Sequence, residues 1–280
     1  MEFDLPPLPV KDFLLEYDLR PRKSLGQNFL SDNGALAKIV NAAEITSEDV
    51  VLEIGAGLGS LTRFLASAAK RVVAVEIDQH MLPILQQVLL PFNNVEIVHG
   101  DMLEQDPMEM MDGEAYVCIA NIPYYITSAL MRHLLESSLR PRRIVFTMQQ
   151  EVAARICTKA DEKHSLLSLS VQVYGAPRVV AKLPAGAFYP PPKVDSATLR
   201  VDLYEEPRIP QGHIDTFFQL AKAGFSQKRK NLRNSLSGGL HISKEDVEAL
   251  LGKAEIDTSR RAETLSIEEW GRLTEIYSKA

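Results

Sequence analysis

Residues 121–127 read Asn-Ile-Pro-Tyr-Tyr-Ile-Thr and follow the apolar run AYVCIA. Asn121 offers an amide oxygen that can accept a hydrogen bond. Pro123 forces Ile122 into an extended conformation that presents the Ile122 carbonyl as a second acceptor. Tyr124 offers a face on which a base can stack, worth roughly 1–3 kcal/mol per base. An exocyclic amine on adenine is a weak nucleophile because its lone pair is delocalised into the ring. Two acceptors would bias that nitrogen toward pyramidal geometry and aim its lone pair at an electrophile. Such a group needs no general acid, base or metal, because its contribution is positioning. A bare N-x-P-Y also fits a strand-to-helix turn with core tyrosines, so the rest of the chain has to decide.

The stretch EIGAGLGSLT (53–62) is a Gly-rich turn between a strand and a helix. Many such turns need glycine simply to fold tightly. Glu76, however, ends the next strand, where Rossmann-like sites place a carboxylate on ribose hydroxyls. The glycines at 55, 57 and 59 do not follow the Gly-x-Gly-x-x-Gly spacing of nicotinamide enzymes. Glu53 beside the turn would repel a pyrophosphate and suits a ligand carrying positive charge, such as the ammonium and sulfonium of S-adenosylmethionine. Asp101, in HGDML, is placed to accept from the adenine amino group of that ligand, although a loop Asp also caps turns. Gly55, Gly57, Glu76, Asp101 and Asn121 all fall at the ends of successive strands, where open α/β sheets bind ligands.

The elements that must carry these residues alternate strand and helix. Short apolar, β-branched runs at 49–55, 71–78, 94–101, 114–121 and 142–149 read as buried parallel strands. Helical patterns at 60–69, 80–90 and 128–139 lie between them, with Pro83 near a helix start. The segments LLSLSVQVY (166–174) and ATLRVDL (197–203) alternate at period two and read as antiparallel strands at one edge. The sum is an α/β fold with a mostly parallel seven-stranded sheet. From residue 206 the chain reads as all helical, so a first domain over 1–205 and a second over 206–280 are expected, parted where prolines interrupt both patterns.

With 31 Lys and Arg against 37 Asp and Glu, the net charge of −6 argues mildly against a nucleic-acid partner. The average hides a patch. Between Thr216 and Lys244 there is no acid, while Lys222, Lys228, Arg229, Lys230, Arg233 and Lys244 all carry positive charge. Smaller clusters fall at Arg20, Arg22 and Lys23 and at Arg140, Arg142 and Arg143; any one of them alone would read as a solvated face. The acidic N-terminus is not a signal peptide, and no run approaches about 18 apolar residues. Cys118 and Cys157 are isolated and the histidines are scattered. A reduced, cytoplasmic, metal-free protein is expected.

The order of KSLGQNFL (23–30), EIGAGLGSLT, VEID (75–78), GDML (100–103) and NIPYYIT strongly resembles the ribosomal RNA adenine N6-dimethyltransferases. FYPPPKVDSA (188–197) and FSQKRKNLRNSL (225–236) extend the likeness over nearly the whole chain from Lys23. Within that family the likeness is to the KsgA-type enzymes, which dimethylate two neighbouring adenosines near the 3′ end of 16S ribosomal RNA. The resemblance implies a Rossmann-like class I methyltransferase with a small C-terminal all-α domain. It implies that Asn28 and Leu30 close over S-adenosylmethionine together with Gly55, Glu76, Asp101 and Asn121. Alone, GQNFL reads only as a turn leading into a helix. Phe188 would face Tyr124 across a flipped base, although FYPPPK also fits a rigid connection between strands. Ile122 stands where Leu is common, and only its carbonyl should matter. Lys228, Arg229, Lys230 and Arg233 would dock a monomeric enzyme on 16S RNA in an assembling small subunit by phosphate contacts.

Three other readings compete. A nicotinamide oxidoreductase fits the sheet and Glu76 but not the glycine spacing, Glu53 or NIPY. A 23S methyltransferase of the macrolide-resistance type shares the chemistry and differs in target; the FSQKRKNLRNSL segment favours the small-subunit enzyme. A non-catalytic assembly factor of the same fold would have little use for an intact NIPY.

Overall fold

A computed structural model of the chain describes residues 3–121, 126–159 and 162–279. It divides into two compact units, one of Met1–Ala153 with Pro177–Leu203 and one of Ala154–Ala176 with Tyr204–Ala280.

The strands are β1 (Phe29–Leu30), β2 (Val50–Ile54), β3 (Arg71–Glu76), β4 (Val95–His99), β5 (Tyr116–Asn121), β6 (Arg143–Gln149), β7 (Gly175–Leu183), β8 (Phe188–Tyr189) and β9 (Ser196–Leu203). Among the described residues, seven of them form one sheet in the order β4-β3-β2-β5-β6-β9-β7. β2, β3, β4, β5 and β6 pair in parallel, and β9 runs antiparallel to β6. The sheet is therefore mostly parallel and seven-stranded, as expected. β2 is buried along its whole length, as a central strand covered on both faces must be. Strand order reverses between β2 and β5, so the crevice beyond Ile54 and Asn121 is the topological switch point.

Helices Asn33–Ala43 and Ser60–Ala66 supply the main core against the sheet, with Leu36, Ile39, Phe64 and Leu65 almost fully buried. Asp32 starts the first of these by accepting from the Ala35 N–H at 2.7 Å. A smaller core forms where helix Val10–Glu16 meets helix Leu82–Leu89, through Val10, Leu14, Phe29, Leu58, Ile84 and Val88.

Two expectations need correction. Residues 166–174 are not a strand: Leu166–Gln172 is a helix, and the edge strand is the next segment, β7. Ser165 caps the helix in a reciprocal box with Ser168, and Leu169 and Val171 are buried. A period-two pattern over so few residues cannot outweigh that cap and its packing. β7 carries no clear strand pattern in the sequence because it holds Pro177, Arg178 and Lys182, residues that suit an edge. The second correction follows from the first. The helical unit does not begin at residue 206 alone but also takes Ala154–Ala176. Backbone bonds explain why: His164 N–H donates to Glu263 O, Tyr204 N–H to Tyr174 O, and Arg208 N–H to Val173 O. The rest of this unit is helices Ile214–Phe225, Leu232–Leu240, Lys244–Lys253 and Ile267–Ser278 around the buried Trp270. Gly239 lets the second of these helices approach the first, since a Cβ there would lie 2.6 Å from Ala223 Cα.

Replacing Ser165 by Ala should lower the stability of the helical unit by about 1 kcal/mol, read as a lower urea midpoint at unchanged slope. An unchanged midpoint would show that the cap does not hold the helix.

Candidate active site

A cavity of about 270 Å³ opens at the switch point. Asn28, Leu30, Gly55, Gly57, Glu76, Asp101, Asn121 and Phe188 all line it. Every described residue expected to bind cofactor or base is thus gathered in one place. Ile122, Pro123 and Tyr124 lie outside the described residues.

The sheet register explains the convergence. Ile54 pairs with Ala120, so Gly55 follows β2 beside Asn121 at the end of β5. Glu76 pairs with His99, which puts Asp101 just beyond the end of β4. The Gly-rich turn is pinned to β3 by the N–H groups of Gly55 and Ala56, which both donate to Val75 O. Gly57 has φ of +57°, and a Cβ there would sit 3.3 Å from the Phe29 ring. Glycine is required at that position both for its backbone angle and for the approach of Phe29. The fourth wall comes from β1 and β8, which pair antiparallel with Leu30 opposite Phe188. Ser31 and Asp32 N–H groups also donate to Ala187 O. Asn28 O in turn accepts from the Asn121 amide at 3.3 Å, tying GQNFL to the NIPY strand.

Two carboxylates stand in this cavity with almost no solvent. Glu76 accepts from Gly57 N–H and Asp78 N–H, each at 2.7 Å. Its pKa is raised by burial, against which those backbone bonds work. Glu53 is 1% exposed, and its Oε2 has no hydrogen-bond partner. Burial pushes Glu53 up to about 8; the nearby Thr62 hydroxyl, outside hydrogen-bond geometry, draws it down, and the Glu76 charge pushes it up again. An uncompensated buried carboxyl of this kind holds a proton or awaits a cation. Asp101 uses Oδ1 to cap the turn after β4, accepting from Leu103 N–H at 2.9 Å, so it has the turn-capping role as well.

Several residues of this site were not legible beforehand. Ile77 and Leu103 line the cavity as large apolar side chains 47% and 37% exposed. Each adjoins a residue that was singled out, the first by following Glu76 and the second by lying two past Asp101. Asp78, whose side chain is fully buried, is the hub of a second layer. It accepts from Gln27 at 2.9 Å and His80 at 2.9 Å, and pairs with Arg22 at 3.3 Å. Burial alone would raise its pKa; the bonds from His80 and Gln27 and the Arg22 charge bring it below the usual value. Arg22 is therefore a fastener of the cavity wall. Arg142 is likewise engaged, with Asp49 at 2.6 Å, and Arg143 with Asp202 at 2.5 Å. In the helical unit Lys228, Arg229 and Lys230 are exposed, and Arg233 pairs with Glu248 at 2.5 Å, so part of its charge is already answered. Among the described residues, no group of three or more His, Cys, Asp or Glu side chains is placed to hold a metal, and no helix is long and apolar enough to cross a membrane.

The sheet order, the Gly-rich turn and the acids at the strand ends define a Rossmann-like, S-adenosylmethionine-dependent methyltransferase. A model of the ribosomal RNA adenine dimethylase family matches residues 19–279, and the chain belongs to that family. It is 44% identical over 272 residues to a ribosomal RNA small subunit methyltransferase A of Dehalococcoides mccartyi, covering 96% of this chain and 93% of that one. To the protein of that name from Bacillus pumilus it is 41% identical, covering 98% and 97%. Among solved structures it resembles a dimethyladenosine transferase from Plasmodium falciparum (TM-score 0.77, 27% identity, 90% of this chain and 98% of that one). It also resembles the 23S rRNA methyltransferase ErmE (TM-score 0.70, 30% identity, 90% and 100%). The chain is an rRNA adenine methyltransferase.

The Glu53 proton gives a measurable signature. Between the unfolded carboxylate value near pH 4.5 and about 8, the folded chain holds a proton that the unfolded chain has released. Stability from this group is present at low pH and is lost as pH rises through that window. Urea titrations of the cofactor-free protein at pH 5, 6.5 and 8 should show this decline, and Glu53→Gln should remove up to about 1.4 kcal/mol per pH unit of it. Parallel pH profiles for the two proteins would overturn the assignment.

Proposed function

We propose that this enzyme dimethylates N6 of two adjacent adenosines near the 3′ end of 16S ribosomal RNA, acting as a cytoplasmic monomer on an assembling small subunit. The observation that carries the proposal is the single cavity that joins Glu76 and Asp101 to Asn121 and Phe188. The small-subunit target rests on the two relatives named above, whose identity exceeds that to the 23S enzyme.

The cavity suits S-adenosylmethionine. Glu53 offers an unpartnered buried carboxyl oxygen to a positively charged ligand, and Glu76 offers carboxylate oxygens where ribose hydroxyls are held. Ile77 and Leu103 give apolar faces for a flat base, with Asp101 beside them as an acceptor. Asn28, Leu30, Gly55, Gly57 and Asn121 complete the enclosure. Bound there, the cofactor supplies an electrophilic methyl group on a sulfonium.

The acceptor side belongs to this chain's own residues. Asn121 and the Ile122 carbonyl, set by Pro123, accept from the target amine and turn its lone pair toward the methyl. Tyr124 and Phe188 hold the flipped base between them. The reaction as proposed needs no metal, and its acceleration comes from alignment. Lys228, Arg229 and Lys230 give the helical unit an exposed basic turn for RNA phosphates, with Arg233, shared with Glu248, on the helix that follows. The likeness to ErmE keeps a 23S target as the second reading.

Labelled methyl from S-adenosylmethionine should enter N6-dimethyladenosine in small subunits that lack this modification, and not in large subunits. Label confined to large-subunit RNA would move the target and keep the chemistry. No label in either, with tight subunit binding, would leave an assembly factor. Asn121→Ala should abolish transfer by at least 100-fold, on the order expected for a lost positioning group, while cofactor-independent RNA binding persists; near-normal rates would overturn the acceptor mechanism.

A further inference from the structure

We propose that the catalytic unit carries a phosphate-backbone site of its own for the RNA strand, in the groove between β7 and helix Asn33–Ala43. The proposal rests on the rRNA reading above and adds where the strand runs. The groove, a cavity of about 760 Å³ separate from the catalytic one, is lined by Lys38, Arg178, Lys182 and Arg200, with Glu44 as its acid.

Charge here runs opposite to the rest of the chain. Glu44 and Asp202 serve three arginines: Arg200 reaches Glu44 at 2.6 Å and Asp202 at 3.0 Å, Arg143 reaches Asp202 at 2.5 Å, and Arg178 reaches Asp202 at 3.1 Å. Three cations against two anions leave one positive charge. Lys38 and Lys182 are exposed and form no ion pair among the described residues, which raises the surplus to three on a chain whose total is −6. Arg200 is 5% exposed along its side chain and is further fixed by donating to Ala42 O at 2.9 Å. The floor of the groove is therefore pinned by ion pairs, with the two exposed lysines at its rim.

An exposed edge strand is commonly protected by charges and proline. That accounts for Pro177, Arg178 and Lys182 on β7. It does not account for Lys38, which belongs to the helix on the other side, nor for a surplus shared across both walls.

Position names the occupant. Both walls run directly into the acceptor clamp: β7 ends at Leu183 and the chain returns as Phe188, while helix Asn33–Ala43 follows Leu30. The Ser31 N–H joins the two by donating to Ala187 O at 2.9 Å. A strand whose target base is turned into the cavity would lay its neighbouring phosphates along this groove. Arg178 to Lys182 spans about 13 Å of strand, the rise of roughly four stacked nucleotides. The contacts are to backbone and carry no sequence information.

The test is the binding of full-length protein to 16S ribosomal RNA across a salt series, for wild type and for Lys38→Glu/Lys182→Glu. Cofactor affinity measured in parallel reports folding. The double variant should bind RNA at least tenfold more weakly, with a salt slope shallower by about 1.4 to 1.8, as expected for two lost phosphate contacts. Cofactor affinity should stay at the wild-type value. An unchanged affinity and slope would overturn the groove. If cofactor binding is lost as well, Lys38→Gln/Lys182→Gln replaces the variant and must show the same change in slope, or the proposal falls. Wild-type protein that binds RNA with the expected slope but methylates no small subunit would overturn the substrate reading and leave the groove standing.

Discussion

The pairing of β1 with β8 is the constraint on which the site depends. Each strand is two residues long and neither could hold by itself. They persist because Leu30 and Phe188 both belong to the main core, and because Ala187 O collects the N–H groups that follow Leu30. This pairing puts a wall opposite the sheet end and turns an open crevice into a cavity. Its outer side is buttressed in turn. Phe29 packs on Val10, Leu14, Leu58 and Ile84, and the Lys11 ammonium lies 5.0 Å from the centre of the Tyr189 ring. Further back, Pro6 O and Leu5 O accept from Arg63 and Asn33. The residues before the first motif are thus fastened to the catalytic unit at several points.

The acids around the cavity fall into two electrostatic classes, set by what surrounds them rather than by depth alone. Asp78 is as buried as its neighbours, yet Gln27, His80 and Arg22 meet it with donors and charge, so it stays ionised and anchors the wall. Glu53 has the burial without the partners, so its proton is retained to an unusually high pH. A fixed anion holds structure together, and a protonated acid lining the cavity is available to respond to a ligand. Glu76 lies between them, bonded by backbone donors yet raised by burial.

Much of this was legible in the sequence because parallel strands leave a simple trace. A buried run such as VVLEI that ends in glycine, or VVAVE that ends in an acid, fixes both the strand and the ligand-facing end. Gly57, Glu76, Asp101 and Asn121 stand at such ends, and it is their combination that singled them out. Phe188 and Leu30 did not follow from local pattern, since their meeting depends on a pairing between segments far apart in the chain; only the family resemblance supplied it. Segment 166–174 misled because a short alternating run suits either state, and Ser165 and Ser168 decided it through bonds to the backbone. The counter-charge of Arg233 was not legible for another reason: Glu248 lies on a different helix, outside the acid-free stretch. The ionic partner of Asp78, Arg22, was likewise hidden by its distance along the chain.

The order of strands in the sheet carries a consequence for biosynthesis. β9 is the last strand to leave the ribosome, yet it occupies an inner place, between β6 and β7. β7 is made earlier and has no neighbour until β9 has been laid along β6. A nascent chain that has reached residue 190 therefore presents the edge of β6, whose residues Ile144 to Met148 are all buried in the finished protein. Prematurely terminated chains would keep that apolar edge permanently unpaired, a template for self-association. The eight residues of β9 thus act as the stitch that closes the sheet, and translation past residue 203 is what covers the apolar edge of β6.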